Sequence, residues 1–199
     1  MHDYGVFGHD RVTIGRWLGV GSILVAGGLS QVAVWAASLS GVDAFLRATL
    51  TTGAVYFGLH WLFNKYAWKI PFFDIPDLSG HWEVEGRTLD EDGSTRFDWV
   101  AEVGIAQDWK QMAIHLKTER SQSDSYTAIL SKRHGPTGGW RLTYSYRNEP
   151  EVTNAHELSP HRGYCEVDFD RELTTAQASY FNSAGRRTFG SMKLRKKND

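Results

Sequence analysis

The chain has 199 residues, 41% of them hydrophobic and 13% aromatic, with 22 Lys+Arg against 23 Asp+Glu and a formal net charge of −1. That balance excludes a DNA or RNA polymer binder working by bulk basic charge, eight tryptophans exclude a disordered chain, and a lone cysteine, Cys165, excludes a disulfide scaffold. The mean hydropathy of −0.40 describes a soluble protein, but the charge is uneven: residues 1–70 hold five basic and three acidic side chains, leaving 17 and 20 for residues 71–199.

Residues 17–42 form an uncharged run of 26, and residues 48–64 another of 17. As helices these would extend about 39 Å and 26 Å against a hydrocarbon core of about 30 Å. The first spans; the second spans with Lys65, Tyr66, Trp68 and Lys69 anchoring its far end at the interface. Small residues recur along both, including Gly19, Gly27 and Gly28, then Thr52, Gly53 and Gly58, and they allow close helix packing in lipid. A signal peptide cleaved near Ala36-Ala37 and a buried core helix for the second run are the bland alternatives. The length of the first run, followed at once by a second, favours a two-helix transmembrane hairpin over 1–70. Arg11 and Arg16 precede the hairpin and Lys65 and Lys69 follow it, with Asp43 and Arg47 in the turn. The positive-inside rule puts both termini in the cytoplasm, at the inner membrane, and an unpaired cysteine suits that reducing compartment.

Residues 71–79, punctuated by Pro71 and Pro76, read as a linker. Over 80–199 the hydrophobic period is two, in eight runs: 80–86, 96–107, 111–119, 123–131, 140–148, 162–169, 175–182 and 187–195. Turn residues separate them, which predicts an all-β, eight-stranded antiparallel up-and-down barrel of lipocalin type. Alternation assigns inward files: Met112, Ile114, Leu116, Thr118; Ser123, Ser125, Thr127, Ile129; Trp140, Leu142, Tyr144, Tyr146, Asn148; Gly163, Cys165, Val167, Phe169; Ala178, Tyr180, Asn182; and Gly190, Met192, Leu194.

With simple connectivity, most of these files are apolar toward the membrane linker and polar or aromatic at the other end. The result is a cup with an oily floor and a polar rim. Thr118, Ser123, Ser125, Tyr144, Tyr146, Asn148, His161, Tyr180, Asn182 and Arg186 are the expected ligand-binding residues. Aromatic faces, hydroxyls, amides, His and Arg suit a ligand with bases to stack and phosphates to neutralise.

No catalytic group or metal site is expected. His156-Glu157-Leu158-Ser159-Pro160-His161 mimics a zinc-protease motif, but its spacing is wrong and Pro160 breaks any helix. There is no nucleotide-binding glycine loop and no nucleophile elbow, and Cys165 falls mid-strand on an apolar file. The chain is not expected to be an enzyme.

Two spans followed by Pro76-Asp77-Leu78-Ser79-Gly80-His81-Trp82 resemble the opening of the two-transmembrane β-barrel effectors of bacterial CBASS anti-phage defence. The likeness continues through Ile105-Ala106-Gln107-Asp108-Trp109, Ser121–Ser125, the run from Leu142 to Pro150, His161-Arg162-Gly163 and Tyr180-Phe181-Asn182 followed by Gly185-Arg186-Arg187, with Ala178 where the family pattern has Gly. It covers essentially the whole chain. It implies a receptor for a cyclic dinucleotide made by a partner CD-NTase, needing no cofactor. Ligand binding would drive homo-oligomerisation of the transmembrane helices, inner-membrane disruption and abortive-infection cell death. Gln107, Trp109 and Trp82 match the pattern but read as a structural floor. Two other readings are a membrane-tethered lipocalin-like carrier of a lipid, which predicts an apolar mouth, and a filled barrel acting as a protein scaffold.

Overall fold

The structure, a computed structural model, describes residues 1–40, 52–135, 138–151, 160–183 and 187–197. The chain divides into two compact units, one of His9–Ile70 and one of Met1–Gly8 with Pro71–Asp199.

The first unit holds α1 (Arg11–Ser40) and α2 (Thr52–Lys65), which pack against each other. The Asp10 carboxylate accepts the Thr13 N–H at 3.0 Å and so caps the start of α1. Ser22 and Ala26, one turn apart, are buried, while Val20, Ile23 and Leu24 are exposed. The Ser22 hydroxyl donates to Leu18 O at 2.6 Å, which satisfies it inside its own helix. Among the described residues one helix, over Arg11–Leu29, is long and apolar enough to cross a membrane. The start of the expected second span, 48–51, and its turn, with Asp43 and Arg47, lie outside the described residues, and α2 is described from Thr52.

The second unit is an eight-stranded closed antiparallel barrel. Its strands are β3 (Gly80–Leu89), β4 (Thr95–Gln107), β5 (Gln111–Lys117), β6 (Ser121–Lys132), β7 (Trp140–Pro150), β8 (His161–Phe169), β9 (Thr175–Asn182) and β10 (Phe189–Lys196). Each pairs with its neighbours in sequence, and β10 pairs with β3 to close the ring. All the inward files are as alternation predicts except on β6. There a bulge between Ser125 and Thr127 inserts one residue, and the parity reverses: Ala128 and Leu130 are buried, while Thr127 and Ile129 face outward.

The bulge coincides with a split in the barrel wall. β5 and β6 pair directly only over His115↔Asp124, Leu116↔Ser123 and Lys117↔Gln122. Below that the gap is filled by the first residues of the chain. β1 (His2–Asp3) runs antiparallel to β5, and β2 (Gly5–Val6) runs parallel to β6. Tyr4, between them, is 5% exposed. Its hydroxyl donates to Asp108 O at 3.1 Å and accepts from Gln107 Nε2 at 3.2 Å. Two tiny strands too short to give a periodic signal thus complete the wall.

The floor of the barrel is where the chain joins the helical unit at both Gly8 and Pro71. Trp82, fully buried, donates its ring N–H to Leu78 O at 3.2 Å and packs edge-on against Phe169 at 5.1 Å between centroids. Gln107 accepts from Leu78 N–H at 2.9 Å and donates to Pro76 O at 2.9 Å, tying the linker to β4. Trp109 packs against Phe73 at 5.9 Å.

Candidate functional site

Toward the opposite end the inward side chains line a cavity of about 590 Å³. Eight strands enclose just enough room for side chains or one small ligand, and this volume lies in the usual small-molecule range of about 300–1,000 Å³.

Of the residues expected at the rim, Thr118, Ser123, Tyr144, Tyr146, Asn148, His161, Tyr180 and Asn182 all line the cavity. Ser125 does not. It sits at the β6 bulge, where its hydroxyl oxygen accepts the Ile114 N–H at 2.9 Å and lies 2.8 Å from the His2 ring nitrogen. Arg186 lies outside the described residues. Thr118 lines the wall, but its hydroxyl is committed to the β5–β6 turn, donating to Ser121 O and accepting from the Arg120 and Ser121 N–H groups.

Two aromatic pairs form the walls. Trp99 and Tyr180 meet edge-to-face at 5.8 Å, and Tyr144 and Tyr146 lie 6.0 Å apart. Trp99 was not among the expected residues, although it falls on the inward file of β4 with Val103 and Ile105. Thr88 was missed because β3 continues three residues beyond the predicted end. Arg120, also at the wall, belongs to a turn, where period-two reasoning is blind.

Three of these rings lie over glycines on the adjacent strand, in the register Trp99↔Gly86, Tyr146↔Gly163 and Tyr180↔Gly190. A Cβ on Gly86 would come within 2.2 Å of the Trp99 ring, one on Gly163 within 2.3 Å of the Tyr146 ring, and one on Gly190 within 2.9 Å of the Tyr180 ring. Glycine on the facing strand therefore lets each ring lie flat along the wall.

The hydroxyls are then fixed. Tyr146 donates to Asn182 Oδ1 at 2.7 Å, and Asn182 Nδ2 donates to Thr188 Oγ1 at 2.8 Å. The Tyr180 hydroxyl and Thr88 Oγ1 lie 2.8 Å apart, and Asn148 Nδ2 donates to Ser121 Oγ at 3.2 Å. The polar edge is thus preorganised. At the mouth, Asp98 is held by Arg87 at 3.2 Å, while Arg120 and His161 bring basic groups to the wall.

Burial pushes the Cys165 thiol up to about 12 and drives the Tyr144 phenol well above its ordinary value, so both stay protonated. Among the described residues no group of three or more His, Cys, Asp or Glu could hold a metal ion. The arrangement can bind, stack and hydrogen-bond.

A family model described as "Cap15, cyclic dinucleotide receptor domain" matches residues 73–196, and one described as "Cap15, TM helices" matches residues 12–69. The chain belongs to the Cap15 family. A curated relative, CD-NTase-associated protein 15 of Yersinia aleksiciae, is 35% identical over 209 aligned residues, covering 97% of this chain and 96% of the relative. The β-barrel is therefore a cyclic dinucleotide receptor domain, joined to a transmembrane region. Family membership makes the chain a receptor, as the CBASS resemblance implied.

Proposed function

We propose that the cavity holds one cyclic dinucleotide, with one base against Trp99 and Tyr180 and the other against Tyr144 and Tyr146. Ser123, Asn148 and Asn182 hydrogen-bond to base edges and ribose, and His161, Arg120 and Arg186 meet the phosphates. Occupancy drives several copies to assemble through their transmembrane helices, which disrupts the inner membrane and kills the infected cell before phage matures. Residues 12–69 cross the bilayer twice, leaving barrel and termini in the cytoplasm, where a CD-NTase releases the ligand. The family match over 12–69 and the flanking Arg11, Arg16, Lys65 and Lys69 support that topology.

The observation that carries this reading is the cavity of about 590 Å³ with two aromatic pairs, in a domain of a cyclic dinucleotide receptor family. Its polar mouth speaks against a lipid carrier. The test is calorimetric titration of the detergent-solubilised full chain with cyclic di-AMP, cyclic di-GMP and cyclic GMP–AMP. Stacking is worth about 1–3 kcal/mol per base, so Trp99→Ala and Tyr146→Ala should each weaken binding by roughly 5- to 150-fold, and Arg186→Ala should weaken it too. Variants that fold and bind like the wild type would place the ligand elsewhere.

A further inference from the structure

We propose that the outer face of β8, β9 and β10 is an interface between two copies of this chain, related by a two-fold axis parallel to β9. One row across these strands, Tyr164↔Phe181↔Phe189, is aromatic on the outside of the barrel. Tyr164 and Phe181 stack with centroids 5.3 Å apart, yet Phe181 remains 52% exposed and Phe189 40%. A contiguous aromatic strip on a soluble surface marks an interaction site.

The charges around the strip select the occupant. The outward side chains of β9 (Gln177, Ser179, Phe181) are uncharged. Below the aromatic row, β8 is acidic on one side, with Glu166 and Asp168, and β10 is basic on the other, with Lys193 and Arg195; above the row Arg162 on β8 and Arg187 just before β10 are both basic. The alternation continues outward, with basic Arg141 on β7 and acidic Glu83 and Glu85 on β3, where Arg87 is paired with Asp98 of β4. Below the aromatic row the sign of charge therefore reverses about β9. Turning a second copy face-to-face about an axis along β9 lays Glu166 and Asp168 over the stretch of the other copy's β10 that carries Lys193 and Arg195, with only Arg162 and Arg187 at the far end meeting like charge. It also sets Phe181 against its own copy and Tyr164 against Phe189 of the other. Pairs within each copy, such as Arg141 with Glu166 at 2.9 Å and with Asp168 at 2.7 Å, become part of a continuous network. A two-fold across the strands would instead stack acid on acid and base on base.

The same axis meets a second requirement. Rotation about the strand direction keeps the floor ends of both barrels on one side, and the floor is where each chain joins its helices at Gly8 and Pro71. Two copies anchored in one bilayer need that arrangement, and in this respect the inference rests on the membrane reading above. A convex barrel buries little area, so the contact is weak free in solution and gains its strength from the high effective concentration of anchored copies.

The test uses the full chain in inner-membrane vesicles. Ser179→Cys puts a thiol on the axis, facing its own copy across a sheet spacing of about 10 Å, within reach of a short bis-maleimide. The native Cys165 is buried and gives no background. We expect Ser179→Cys to cross-link about ten-fold more than Lys117→Cys on the far side of the barrel, and Phe181→Glu or Lys193→Glu added to Ser179→Cys to return it to that control level. Equal cross-linking of Ser179→Cys and Lys117→Cys overturns the interface. Running each sample with and without the three cyclic dinucleotides, with binding measured in parallel, separates the failures. Binding without Ser179→Cys cross-linking overturns the interface alone, and cross-linking without binding overturns the ligand reading alone.

Discussion

Substitution of Gly163 by alanine tests whether the facing glycine is what seats the Tyr146 ring. The new Cβ would lie 2.3 Å from Tyr146 Cζ, 2.4 Å from its hydroxyl oxygen and 2.8 Å from Asn182 Oδ1. Ordinary carbon contacts begin near 3.5 Å, so the ring must move by more than about 1 Å. Moving it breaks the 2.7 Å bond to Asn182, at about 0.5–1.5 kcal/mol, on top of an overpacking cost of about 1–3 kcal/mol. Restricting the unfolded chain returns about 0.4–1 kcal/mol. The net expectation is a loss of roughly 0.5–4 kcal/mol, centred near 2, read as a lower thermal midpoint of the detergent-solubilised full chain. The decisive measurement is a double-mutant cycle, because in a Tyr146→Ala background there is no ring to displace and the Gly163→Ala penalty should shrink to the small shift of the Asn182 amide. A penalty of the same size in both backgrounds, or none in the wild type, refutes the reasoning.

The strap formed by the first residues gives a second prediction: Tyr4→Ala, which removes a buried ring, should cost about 3–5 kcal/mol by thermal unfolding, and Tyr4→Phe only about 1 kcal/mol. Little effect of Tyr4→Ala would mean that the wall closes without the strap. A third concerns acid. The hydrogen bonds from Arg141 hold the Asp168 carboxyl below its ordinary value of 3.8, so its stabilisation is fully present above that value and is lost as pH falls through the lowered folded value. Solvent screening of this partly exposed pair keeps its worth to about 1 kcal/mol. Urea midpoints of wild type and Asp168→Asn should therefore differ near neutral pH and converge in strong acid; a constant gap would show that the pair is not what titrates.

Eight strand runs, their order and most inward files follow from the sequence, because a barrel wall buried on one face imposes strict period-two alternation on every strand. Tyr144-Ser145-Tyr146 shows this directly, with both rings inside and Ser145 outside. The uncharged run beginning at Trp17 is equally local information, since a bilayer selects on length and polarity alone. Alternation fails where one extra residue enters. The bulge after Ser125 leaves no mark in composition, and it turned Thr127 and Ile129 outward and gave Ser125 a structural bond instead of a place at the cavity.

Long-range pairing is the part that only the tertiary structure decided. His2, Tyr4 and Val6 fill a split between strands more than a hundred residues away. Gly163 matters because Tyr146 lies opposite it, and Trp99 reaches the cavity because Gly86 makes room. Strand alternation is written residue by residue along the chain. Which ring meets which glycine, and which segment closes the wall, depends on register between distant segments, and that is set only when the barrel closes.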